Sequence, residues 1–142
     1  MKWYGKGLLA CMKADVDLDT ADLFLSLHTS TYTPDLDVHD FANDLTNELA
    51  NGNGYTTGGY DVTGNALSYD AASDQVRFDV NDPTWTFTAS KTWRYGVLYN
   101  KRGGASSADE LIALLDWGGD QTVSTAYTLV IDSTGLLYLD AT

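Results

Sequence analysis

The stretch Thr84-Trp-Thr-Phe-Thr-Ala-Ser-Lys-Thr-Trp-Arg-Tyr-Gly-Val-Leu-Tyr99 decides the fold class. Trp85 and Phe87 alternate with threonines, and Trp93, Tyr95, Val97 and Tyr99 recur at every second position. A strand turns every second side chain to the same face, so both runs read as strands, with these aromatics inside. Just upstream, Val76, Phe78 and Val80 alternate with Arg77 and Asp79, the pattern of a half-buried strand. It follows a strand-like run at Tyr60–Tyr69 across the turn Asp70–Asp74. Further back, Leu23, Leu25 and Leu27 share one face of a strand whose other face holds Phe24 and Ser26.

Downstream, Leu111-Ile-Ala-Leu-Leu115 lacks alternation. Its length and the stop Asp116-Trp-Gly-Gly119 favour a strand covered on both faces over a helix. Ala126–Ile131 and Leu136–Leu139 flank the turn Asp132-Ser-Thr-Gly135 and read as a hairpin. Asn51-Gly-Asn-Gly54 and Thr57-Gly-Gly59 are turn signals, and Thr29–Asp37 reads as a loop around Thr33-Pro-Asp35. One or two helical turns are expected at 6–13, and a short helix at Val38–Asn43 behind Asp37 as N-cap. Leu45–Leu49 reads as a short strand or an irregular edge. The expectation is one all-β domain over 1–142, sandwich- or jelly-roll-like, with about eight short antiparallel strands and one or two short helices. Residues 1–14 form either a basic arm or one of those helices.

The 142 residues suit a single domain that needs no disulfide or metal to bury a core. The net charge is −12, and the 20 acids comprise 18 Asp and only Glu48 and Glu110. Asp favours turns and caps whereas Glu favours helix interiors, so this balance also speaks for a loop-rich β protein. Such acidity disfavours nucleic acid as a partner, because phosphates require clustered Lys and Arg. Nothing approaches the roughly 20 apolar residues of a membrane span, and no signal peptide is read at the N-terminus. Cys11 is the sole cysteine and sits in an apolar run, where a buried inert thiol is expected.

No catalytic constellation emerges. The histidines are His28 and His39 alone, which leaves few bases for a nucleophile. Asp15-x-Asp17-x-Asp19 resembles the start of a calcium loop, but Thr20 and Ser26 stand where an EF-hand needs Gly and a carboxylate. A looser cation site over Asp15, Asp17, Asp19 and Asp22 competes with a solvated turn, which is the simpler reading. Asp35, Asp37, His39 and Asp40 form a second cluster, poor in the His and Cys that zinc prefers and simply explained by helix capping. Paired carboxylates for glycoside hydrolysis carry no specificity among so many Asp. Carbohydrate-stacking roles for Trp3, Tyr4, Tyr55, Tyr60 or Trp117 compete with the core, where aromatics more often lie. Lys2, Lys6 and Lys13 precede any other basic residue before Arg77, while Asp15 to Glu48 holds nine acids and no Lys or Arg. That polarity suits a basic arm docking on an acidic partner, or lysines decorating a short helix.

The segment Leu25-Ser-Leu-His-Thr-Ser-Thr-Tyr-Thr-Pro-Asp-Leu-Asp-Val-His-Asp-Phe41 resembles a recurrent pattern of small tailed-bacteriophage virion proteins, LxTSxYTPxxDxHDF. Asp44-Leu-Thr-Asn-Glu48 and Gly52-Asn-Gly-Tyr-Thr-Thr-Gly-Gly59 are similar to its next two motifs. Trp93-Arg-Tyr-Gly-Val-Leu-Tyr99, Leu111 to Gly118 and the closing stretch Val130 to Leu137 follow in the same order, with Trp117 where the pattern has Phe. The resemblance implies a non-enzymatic virion structural protein without cofactors, and most strongly a capsid decoration (cement) protein. It would bind the outer face of the major capsid protein lattice, after assembly in the host cytoplasm. Tail or neck placement, or a carbohydrate-binding module, is the alternative. Partners would be the major capsid protein and further copies of the chain, with trimers suited to three-fold lattice sites. The neighbour contacts expected are Lys2, Trp3, Tyr4, Lys6, Lys13, Tyr32, Asp35, Asp37, His39 and Tyr55.

Overall fold

In the computed structural model, which describes residues 1–141, strand β7 (Lys91–Asn100) occupies the centre of a five-stranded antiparallel sheet. On one side it pairs with β8 (Leu111–Val123), which carries β1 (Lys2–Trp3) at its edge; on the other it pairs with β2 (Leu23–His28), followed by β3 (Tyr60–Asp61). A second sheet joins β4 (Ala66–Asp70), β5 (Gln75–Asp79) and β10 (Leu137–Asp140), with β5 in the middle. A third pairs β6 (Thr84–Thr86) with β9 (Ala126–Thr128). Helix α1 (Gly5–Met12) and single 3₁₀ turns at Ala42–Asp44 and Ser106–Ala108 complete the regular structure. The class is all-β, with 41% of residues in strands. Among the described residues no helix is long and apolar enough to cross a membrane.

The last six residues of β7 are buried because both faces of the main sheet are covered. On one face Leu25, Leu27, Leu98 and Ile112 meet Phe78, Val80, Trp85, Phe87 and Leu137, supplied by the two smaller sheets and their flanks. On the other, Val97, Tyr99 and Leu114 meet Tyr4 and Tyr32, with Leu36, Ala42 and Leu45 closing over them. The aromatics expected inside (Trp85, Phe87, Trp93, Tyr95 and Tyr99) are all buried.

Several boundaries depart from expectation for local reasons. β8 runs through the anticipated stop: Trp93 pairs with Gln121 and Tyr95 with Asp116, so Trp117 to Asp120 bulge opposite Arg94 alone. Gly118, at φ +77°, supplies the left-handed residue this bulge needs. Across the bulge Trp93 joins the first apolar cluster, while Tyr95, Val97 and Tyr99 belong to the second, so the four do not share one face. The Tyr60–Tyr69 run divides into β3 and β4. β9 and β10 do not pair with each other as a hairpin; each leaves the closing turn for a different sheet. No helix forms over Val38–Asn43, because Asp35 rather than Asp37 makes the cap: its Oδ1 accepts the Asp37 and Val38 amides at 3.1 and 3.0 Å and closes a turn.

The N-terminal segment is no free arm. Tyr4 is fully buried, its amide donates to the Ile112 carbonyl at 3.0 Å, and α1 lies flat on β8 at Gly7. A Cβ on Gly7 would collide with the Leu111 carbonyl, which is why the helix can approach backbone to backbone only there.

Candidate functional site

The three motifs of the 25–59 region converge on one hydrogen-bonded knot against β2. The Tyr55 hydroxyl accepts the Leu27 amide at 2.9 Å and donates to Glu48 Oε1 at 2.7 Å. The same carboxylate oxygen accepts the Gly58 amide at 2.6 Å, and the Tyr99 hydroxyl donates to the Gly58 carbonyl at 2.6 Å. Burial raises both phenols, with the Glu48 charge adding to it, and Tyr99 is pushed up to about 12. They therefore remain protonated donors at neutral pH. The knot ties a long loop to the main sheet and makes Tyr55 part of the core, not a contact residue.

Within it lies the arrangement closest to a catalytic one. His28 is fully buried and its Nδ1 is 2.8 Å from the Thr46 carbonyl. A carbonyl only accepts, so Nδ1 carries the proton and Nε2 is left to accept from Ser26 Oγ at 2.8 Å. Hydroxyl, imidazole and orienting acceptor are thus in line. Two properties disqualify the pair as a base-activated nucleophile at neutral pH. Ser26 is 1% exposed, and burial drops the imidazole to about 4, against the pull of the Thr46 carbonyl. We read it as a satisfied core pair.

That reading makes a pH prediction. The folded value lies below the usual 6.5, so the neutral ring stabilises the fold fully above pH 6.5 and progressively less as the pH falls toward 4. Denaturant titrations should show about 2 kcal/mol lost from this group between pH 7 and pH 5. His28→Gln should flatten that slope, and an unchanged slope in the variant would assign it elsewhere.

The other expected residues fall into two groups. Tyr4 and Tyr32 are buried with hydroxyls 2.9 Å apart, and the Tyr32 hydroxyl continues to His39 Nδ1 at 3.2 Å. Lys6 reaches Asp40 at 3.0 Å and the Val38 carbonyl at 2.9 Å, and the Gly5 amide donates to Leu36. Lys6 is thus met by this chain's own acidic loop. Tyr4, Tyr32 and Tyr55, expected as neighbour contacts, are buried. Lys2, Lys13, Asp35 and Asp37 are exposed; Trp3 and His39 are half-buried. In the first Asp cluster Asp17 Oδ1 takes the Asp19 amide and Asp19 Oδ1 takes the Leu67 amide; in the second Asp35 closes a turn and Asp40 pairs with Lys6. Among the described residues no group of three or more His, Cys, Asp or Glu is placed to hold a metal ion. The largest groove, about 690 Å³, is lined by the pairs Lys6–Asp40 and Arg102–Glu110, whose charges already answer one another. Cys11 is half-buried with its thiol pushed up to about 11 by burial, so it is not a thiolate.

What remains without an internal use is an apolar face. In the β4–β5–β10 sheet, register places Leu67, Phe78 and Leu137 in one row and Tyr69, Val76 and Leu139 in the next, all on one side. The first row reaches the core through Phe78 and Leu137, but the sheet overhangs beyond it. Leu67, Tyr69, Val76 and Leu139 stay 43, 58, 41 and 36% exposed, and Met12 at the end of α1 is 77% exposed. Between helix and sheet lies a cleft of about 180 Å³, lined by Trp3, Cys11, Met12, Leu67, Val76 and Leu139 among others, all of them apolar. None of these except Trp3 was anticipated as a contact. Each strand's alternation was visible, but not that its outer row would lie past the edge of the core.

The chain matches no protein-family model, no curated protein and no solved structure.

Proposed function

We propose that the chain is a non-enzymatic structural protein of a tailed-phage virion that attaches to the outer face of the major capsid protein lattice. The observation that carries the reading is the apolar overhang, a surface left for a partner. Patches of this kind, rimmed by polar residues, mark docking surfaces. The order of motifs from Leu25 to Leu137 supports the virion assignment. The net charge of −12 supports an outer location, since a wall facing packaged DNA is better served by basic residues. Copies gathered at three-fold lattice sites fit a protein that binds by surface complementarity.

A carbohydrate-binding module is less well supported. Trp85, Trp93, Trp117 and Tyr127 pack on one another edge-to-face or tilted at centroid distances of 5.0 to 6.4 Å, and the Trp117 indole donates to the Tyr127 hydroxyl. These rings serve one another, not a sugar.

The test is to add purified chain to capsids assembled from the major capsid protein of the same phage, then sediment and image them. Saturable binding with density on the outer shell is expected. Density confined to tail or neck would overturn decoration, and no association with any particle would overturn the virion reading.

A further inference from the structure

We propose that the cleft between α1 and the overhanging β4–β5–β10 sheet receives a partner-protein segment bearing aliphatic side chains flanked by Lys or Arg. This rests on the reading of the chain as a docking protein and names the chemistry of what it docks. The aliphatic requirement follows from the cleft, whose walls from Met12, Leu67, Val76 and Leu139 offer no charged or hydroxyl group. Burying them in water-free contact is where association energy is available.

The basic requirement follows from the rim. Asp19 is held at the β4 edge by the Leu67 amide, and Asp17 is bound to the Asp19 amide. Asp74 accepts the Tyr69 hydroxyl at 2.7 Å beside the exposed Tyr69 ring. Arg77, in the middle strand, points its guanidinium to the opposite side, where Asp70 at 2.7 Å neutralises it. Lys13 follows Met12 at the helix end and Lys2 precedes Trp3, both on the α1 side of the cleft. On the β4 side Asp17, Asp19 and Asp74 outnumber cations and favour cationic flanks on the occupant. The same rim disfavours a second copy: a two-fold contact through this face would bring two acidic rims together, on chains of net charge −12 each.

The experiment uses the full chain and two dansylated peptides, (Leu-Lys)₄ and (Leu-Glu)₄, with binding read by fluorescence anisotropy. The wild-type chain should bind (Leu-Lys)₄ and not (Leu-Glu)₄. The double variant Leu67→Ser/Val76→Ser, at positions already exposed, should weaken binding at least tenfold with an unchanged circular dichroism spectrum. Asp19→Asn/Asp74→Asn, in which the amide oxygens can still accept the Leu67 amide and the Tyr69 hydroxyl, should weaken it about threefold. Asp37→Asn/Asp120→Asn, which removes the same charge outside the patch, should not change it by more than the salt dependence accounts for. Equal binding of both peptides, or undiminished binding by the Ser double variant, would overturn the proposal. So would a dimer in sedimentation that the Ser double variant abolishes, because the occupant would then be a second copy. Capsid sedimentation separates the two readings. If the peptide results hold and capsids do not bind, decoration alone fails; if capsids bind the Ser double variant as well as wild type, the cleft assignment alone fails.

Discussion

Trp93→Ala is expected to lower stability by about 3–5 kcal/mol, the largest effect of any single truncation in this chain. Trp93 is fully buried where all three sheets contribute side chains. Its ring lies 5.6 Å from Phe87, 6.1 Å from Trp117 and 5.0 Å from Tyr127, which come from the segment after β6, the β8 bulge and β9. Removing it leaves a cavity that several elements border and none can fill alone. A domain of this size should lose roughly 10 °C or more in Tm. Trp93→Phe is the informative partner. The Trp93 indole N–H is buried without a hydrogen-bond acceptor, so Phe forfeits packing but no polar interaction. It should cost less than half as much in a guanidinium titration. Equal losses for Ala and Phe would show that the indole nitrogen matters after all.

Gly59→Ala is expected to cost about 3 kcal/mol and to act on the 25–59 knot. Gly59 sits at φ +90°, and a Cβ there would fall against the backbone of Leu25 and Ser26. Neither a side-chain rotation nor a shift of one strand relieves this, because β2 is paired on its other side with β7. The methyl must push β3 away from β2, opening the turn that Glu48 and Tyr99 hold through Gly58. Gly52 is the control. It also has positive φ, at +104°, but nothing lies within 4 Å of the Cβ site, so Gly52→Ala should cost only the backbone strain, about 1 kcal/mol. The comparison, read by chemical denaturation, separates close approach from conformational preference; equal costs would refute the close-contact account.

Much of the fold was legible without coordinates because alternation is a local signal. The strands at Leu23–His28, Gln75–Asp79 and Lys91–Asn100 follow directly from period-two apolar residues, as does the burial of Trp85, Phe87, Trp93, Tyr95 and Tyr99. The turns at 51–59 were equally readable, since glycine placement is written in adjacent residues, whereas Cys11, expected buried, is only half-buried beside the cleft.

Pairing was not legible, because hydrogen-bond partners are chosen by contacts far apart in sequence. Ala126–Ile131 and Leu136–Leu139 looked like a hairpin by proximity, yet β9 pairs with β6 and β10 with β5. Asp116-Trp-Gly-Gly119 looked like a stop because Gly usually ends a strand; only with β7 alongside does it become a bulge that lets β8 continue. The lysines at 2, 6 and 13 and the acids after them were visible as a charge split, but that Lys6 pairs with Asp40 of the same chain depends on the tertiary contact between α1 and the loop. The exposed apolar row at Leu67, Tyr69, Val76 and Leu139 is the converse case. Strand residues of the same face look identical in sequence whether the layer opposite covers them or stops short. Composition and periodicity determined that this chain would be an acidic, antiparallel β domain; only the lateral offset between its sheets decided which apolar residues were left for another molecule.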